Sequence, residues 1–208
     1  MKLVDVHTKL LEMKVAVFQT SDAAVCLNVD NAHASKLLAR LASAGHLLHL
    51  SRGLWAFKER VEPLALPGYL TDPFPSYVSL QSALYYHGLI SQIPTITYAV
   101  SIGRTRKYET PLGVVSIHHV HPSFFFGFES FGKGMAKMAT PEKALIDFFY
   151  LSPAKSHLFR ALPEFELPRS FKTKKAFKII GQIRSAKRRN LVKVLYEESV
   201  SKLKEEAG

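Results

Sequence analysis

One cysteine and one tryptophan are all that 208 residues provide of these two residue types. A lone cysteine forms no disulfide within the chain and cannot build the multi-cysteine zinc sites. Cys26 falls on the apolar side of a short helix, where a packed free thiol is the expectation. Apolar runs of the roughly 18 to 20 residues that span a bilayer are missing. The start, Met1 to Asp5, lacks the apolar core of a signal peptide, so a cytoplasmic protein with no membrane partner is expected. Absent too are G-x-x-x-x-G-K-S/T, G-x-G-x-x-G and G-x-S-x-G, which removes phosphate-cradling loops and the hydrolase elbow. No catalytic activity and no cofactor are expected. The remaining composition, 47% hydrophobic and 22% charged, is that of a folded chain.

The most informative stretch is 21–57. Ser21 caps a first helix over Asp22 to Leu27, and Asn28 to Asp30 carries turn residues. From Asn31 onward Ala34, Leu37, Leu38 and Leu41 stand at i, i+3, i+4 and i+7, one stripe that docks on the first helix before Gly45 ends it. Lys36 points away from that stripe, with Ser35 on one flank and His33 and Arg40 on the other. His46 to Leu50 and Leu54 to Phe57 read as a hairpin whose turn, Ser51-Arg52-Gly53, puts an arginine at its tip. This order is that of a winged helix-turn-helix, with the second helix reading the major groove. Asn31, His33, Ser35, Lys36, Arg40 and Arg52 are its candidate DNA contacts. Eight Lys/Arg against six Asp/Glu make residues 1–62 only mildly basic, and residues 63–208 carry +9 of the net +11.

Prolines at 63, 67, 73 and 75 predict an extended connector over 63–75, crossed by few contacts. A second domain, 76–208, opens with a helix capped by Ser79 and ended by Gly88. Strands over Thr95 to Ile102 and Val114 to Val120 follow, separated by a polar loop from Gly103 to Gly113. Another helix starts at Thr140, with Pro141 at its first position and Glu142 at the positive dipole end, and stops near Leu151. The fold class is α+β, a winged helix-turn-helix at 1–62 joined by 63–75 to a mixed helix and sheet domain.

Between Leu167 and Tyr196 there are ten Lys/Arg and no Asp or Glu. Phe177, Ile180, Leu191, Val194 and Leu195 recur at helical spacings and are expected to pack, leaving the basic residues toward solvent. Lys172, Lys174, Lys175, Arg184, Lys187, Arg188 and Arg189 are therefore candidate phosphate contacts. Strand alternation puts His119 and His121 on one face, yet without a cysteine or flanking carboxylate they are assigned to packing, as is His87. Glu142 and Asp147, five apart on one helix, do not converge as nuclease carboxylates do.

The block Tyr77-Val78-Ser79-Leu80-Gln81-Ser82-Ala83-Leu84-Tyr85-Tyr86-His87-Gly88-Leu89-Ile90, then Thr95 to Tyr98, then Thr140-Pro141-Glu142-Lys143-Ala144-Leu145-Ile146-Asp147, resembles the AbiEi family of antitoxin-regulators. The resemblance implies a bacterial or archaeal autorepressor whose winged helix binds an inverted repeat in double-stranded DNA at its own promoter. It also implies an antitoxin that neutralises a nucleotidyltransferase-like toxin, AbiEii, from the same operon, with or without direct contact, in abortive infection of phage. The chain departs from that family in carrying only Lys36 and Arg40 as basic residues of the second helix, after an acidic Asp30. Two alternatives stay open, an interaction protein that sequesters a partner without touching DNA and an enzyme acting on nucleic acid.

Overall fold

The computed structural model describes residues 2–132, 136–152 and 164–206, and it is a mixed α+β molecule. Its first elements are α1 (Leu3–Leu11), β1 (Val17–Gln19), α2 (Thr20–Leu27), α3 (Asn31–Ser43), β2 (Leu48–Ser51) and β3 (Leu54–Ala56). The i, i+3, i+4, i+7 stripe of α3 is buried as expected: Ala34 is 0% exposed, and Leu37, Leu38 and Leu41 share a core with Val6 and Leu10 of α1 and Ala23 and Leu27 of α2. Helix α2 begins one residue before the predicted cap: the carboxylate of Asp22 accepts the Gln19 N–H at 2.8 Å. Asn28 closes α2 in the left-handed region at φ 55°, which an asparagine tolerates. Helix α1 and strand β1 were not legible in advance. Cys26 is half-buried, and its thiol donates to the Lys9 carbonyl at 3.4 Å.

Strands β1, β3 and β2 pair antiparallel in that order, and their alternation divides the small sheet into two apolar faces. Phe18 and Trp55, paired across strands, belong to the helical core with Phe57. Val17, Leu48, Leu50, Leu54 and Ala56 point the other way, into a separate core with Val61, Leu66, Leu70, Ala99, Val115 and Ile117. One thin sheet therefore belongs to two cores.

The predicted extended connector is instead a 3-10 turn at Pro63–Ala65 running into α4 (Leu66–Leu70). Pro63 and Pro67 occupy first-turn positions, where a missing N–H costs no hydrogen bond, so these prolines start helices and do not prevent them. Ala65, Leu66, Pro67 and Leu70 are buried, and contacts across this segment are extensive.

The larger sheet has the order β6-β7-β5-β4-β9-β8. Its strands are β4 (Ser76–Val78), β5 (Ile96–Ser101), β6 (Arg106–Thr110), β7 (Gly113–His119), β8 (Phe128–Phe131) and β9 (Ala136–Ala139). β5 and β7 run parallel, as do β4 and β9; the other neighbours are antiparallel. The polar loop expected over Gly103 to Gly113 contains the edge strand β6, whose Arg106, Lys107 and Glu109 suit an outermost position. On this sheet lie α5 (Leu80–Tyr86), α6 (Pro141–Leu151), α7 (Thr173–Gly181) and α8 (Ala186–Glu206), joined in a core through Leu84, Leu145, Phe148, Ile180 and Tyr196. Thr140 caps α6 as expected, accepting the Lys143 N–H at 3.4 Å. No helix among the described residues is long and apolar enough to cross a membrane.

The histidines are held locally. His87 Nε2 lies 2.7 Å from the Ala139 carbonyl, and His119 Nδ1 2.8 Å from the Gly103 carbonyl. Strand β7 ends at His119, so His121 does not share its face; it caps the 3-10 turn at Pro122–Phe124. His118 is buried beside Ser116, and burial lowers its pKa from 6.5 to about 4. The unfolded chain then binds the proton first as pH falls. Stability is expected to be fully present above pH 6.5 and to decline by about 3 kcal/mol toward pH 4 on this account. Urea titrations at stepped pH check this, and His118→Gln should flatten that part of the decline.

Candidate nucleic-acid interface

Asp30 sits before α3, and its carboxylate accepts the His33 N–H at 2.7 Å, fixing where the helix starts. With Ala34, Leu37, Leu38 and Leu41 turned inward, Lys36 lies opposite the stripe, Ser35 and, nearer the stripe, Asn31 on one flank, and His33 and Arg40 on the other; all five are exposed. All five candidate residues of α3 are therefore open to solvent, on both flanks of the helix and around Lys36. Arg52, also exposed, stands in the β2–β3 turn, where Gly53 takes φ +75° as the turn requires. Thr20 pins that turn to the first residue of α2: its N–H donates to the Gly53 carbonyl at 2.9 Å and its hydroxyl accepts the Trp55 indole N–H at 2.9 Å. The hairpin tip and the helix pair consequently form one rigid piece. Arg60 adds nothing to this face, since its guanidinium donates to the Leu11 and Val15 carbonyls and lies over the Phe57 ring.

The basic tail divides into residues that face solvent and residues already engaged. Lys172, Lys174, Arg184 and Lys187 are exposed. Lys175 pairs with the Glu142 carboxylate at 3.2 Å. Arg188 donates to the Tyr150 carbonyl at 2.8 Å and lies over that ring, while Arg189 donates to the Ile183 carbonyl at 3.1 Å. These three hold α7 and α8 to their neighbours. The tail packs on α6 and α3 on α1 and α2, so the two basic groups stand on different cores. Leu191 and Val194, expected to pack, are 40% and 48% exposed; Ile179, Ile183 and Val192 take the inward positions.

Sequence reasoning missed a third constellation. The blocks 77–90 and 140–147 meet in the core, where Asp147 accepts the hydroxyls of Tyr77 at 3.0 Å and Ser79 at 2.8 Å and pairs with Lys143. The Lys143 ammonium also donates to the Phe124 carbonyl at 3.0 Å and lies 3.5 Å from the centre of the Phe124 ring. Burial pushes Lys143 below and Asp147 above their ordinary pKa values, each against the pull of the other's charge. Gly127 keeps this space open, for a Cβ there would stand 3.1 Å from Lys143 Cγ. A serine, lysine and aspartate in contact suggest nucleophilic chemistry, but Lys143, Asp147 and Ser79 are 0% exposed, so no substrate reaches them. The cluster is a polar joint between β4 and α6. Its one signal in the sequence was Lys143 and Asp147 at i, i+4. Glu142, predicted to favour the dipole end of α6, is buried; burial would raise its pKa, but the Lys172 N–H and Lys175 hold it below the usual range.

No family model and no curated protein matches the chain. A solution structure of the antibiotic-resistance factor ANT(2'')-Ia aligns with a TM-score of 0.31 and 9% identity, over 69% of this chain and 93% of that chain. A likeness of that size carries no argument about fold or activity. Among the described residues no group of three or more His, Cys, Asp and Glu could hold a metal ion.

Proposed function

We propose that residues 1–62 form a winged helix-turn-helix that binds double-stranded DNA, and that the chain is an autorepressor and antitoxin of the AbiEi type. The observation that carries the DNA reading is the exposed side of α3, with Lys36 flanked by Ser35 on one side and His33 and Arg40 on the other, Asn31 exposed in the first turn, and Arg52 held on the β2–β3 turn by Thr20. Amide, imidazole, ammonium and guanidinium groups on one protruding helix are the types that meet base edges and phosphates. The antitoxin part rests on the resemblance of the blocks at 77–90 and 140–147. That the two blocks meet through Tyr77, Ser79, Lys143 and Asp147 supports reading them as one unit.

Gel-shift titration of the full chain against its own promoter and a scrambled duplex tests the proposal, and equal affinities would remove specific readout. Lys36→Ala or Arg52→Ala is expected to reduce the preference for the operator by about 5- to 150-fold if the lost contact is to a base. Replacing Lys172, Lys174 and Arg184 with Ala should instead weaken all duplexes alike and reduce the log-log salt slope by up to about three. Growth rescue on co-expression with the adjacent nucleotidyltransferase-like gene tests the antitoxin part.

A further inference from the structure

Helix α8 is covered on one side only. Val192 and Tyr196 are buried and Arg188, Arg189, Leu195, Ser199 and Val200 partly so, at the 3-4 spacing of an inward face. Directly opposite, Lys187, Leu191, Val194, Glu198 and Ser201 form a second stripe at 4-3-4-3 spacing, all exposed. That is the spacing of a helix seam that awaits another helix. At its middle are the two apolar side chains, and Lys187 and Glu198 stand four residues outside them, one at each end. Neither has an ion-pair partner within the chain among the described residues.

The stripe is complementary to itself, in one direction only. In an antiparallel pair with a two-fold axis between Val192 and Lys193, Leu191 of one copy meets Val194 of the other, and each Lys187 meets a Glu198. A parallel pair would place Lys187 against Lys187 and Glu198 against Glu198, which is repulsive. We propose that the outer face of α8 is an antiparallel docking site for α8 of a second copy of this chain. The contact is isologous, with one patch used twice, so it closes at a dimer and does not extend to fibres. With only two apolar residues per helix at its centre it is weak and concentration-dependent. The proposal does not depend on the DNA-binding reading, and its test contains no DNA.

Sedimentation velocity of the full chain over a wide concentration range should show the mass rising from 23.3 kDa toward twice that value. Lys187→Glu and Glu198→Lys, each alone, create two like-charge contacts and are expected to raise the dissociation constant about tenfold or more. The double variant restores both pairs and should dimerise like the parent. A mixture of the two single variants should form the mixed dimer, because each then supplies what the other lacks. Circular dichroism confirms that every variant is folded. A parent that stays monomeric at all concentrations, single variants that dimerise as the parent does, or a double variant and a mixture that stay monomeric would each overturn the proposal.

Discussion

Asp147→Ala is expected to lower the stability of the whole chain by about 3 to 5 kcal/mol, because it leaves the Lys143 ammonium buried without a counter-charge. It also strands the hydroxyls of Tyr77 and Ser79, which have no other acceptor in the described hydrogen bonds. Against the 5 to 15 kcal/mol typical of a domain, roughly, such a loss leaves little folded margin. Urea unfolding followed by circular dichroism gives the magnitude. Replacing both charged partners by apolar residues of similar size, Lys143→Met with Asp147→Leu, should recover much of the loss, since the cost lies in the unpaired charge and not in the absence of the pair. A single variant within about 1 kcal/mol of the parent would show that the joint is not closed as described.

A fragment that begins near Pro75 is expected to be poorly soluble, although the prolines before it invited a clean cut. Removing the amino-terminal sheet strips Val17, Leu48, Leu50, Leu54 and Ala56 from Ala99, Val115 and Ile117, which are at most 1% exposed in the full chain. A contiguous apolar patch on a β-sheet, freshly exposed, promotes association. Dye binding to exposed apolar surface and size-exclusion elution, compared with the full chain, are the readouts. A monomeric fragment that unfolds cooperatively would mean that the shared core contributes little, and would also allow the proposed antitoxin role to be tested apart from the proposed repression.

What could be read in advance was whatever a single periodicity or cap encodes. The stripe of α3 stands where Ala34, Leu37, Leu38 and Leu41 put it, and α6 begins where Thr140-Pro141 says it must. Elements with mixed signals escaped. α1 buries only Val6 and Leu10, too few for a stripe, and β6 is a polar edge whose sequence Arg106-Lys107-Tyr108-Glu109-Thr110 resembles a loop. Prolines at 63 and 67 read as breakers, because first-turn proline and connector proline look alike in a sequence. Of the candidate site, the face of α3 was legible because a buried stripe defines its opposite. The engagement of Lys175, Arg188 and Arg189 was not: Lys175 and Arg188 bond to Glu142 and Tyr150, which belong to a distant stretch of sequence, and Arg189 bonds back to the Ile183 carbonyl just before α8, a contact that no periodicity announces. Charges at 143 and 147 would ordinarily count as surface.

The two-faced sheet of β1, β3 and β2 bears on how such a chain could diversify. A recognition module tied to its neighbour by a flexible tether can be exchanged whole between relatives, and a new target comes with it. Here the rear of the sheet is fitted to Val115 and Ile117, so a transplanted module would have to arrive with matching side chains on its back. If α3 reads DNA as proposed, new specificity would come chiefly through point changes on its exposed side and at Arg52, where substitution leaves both cores untouched.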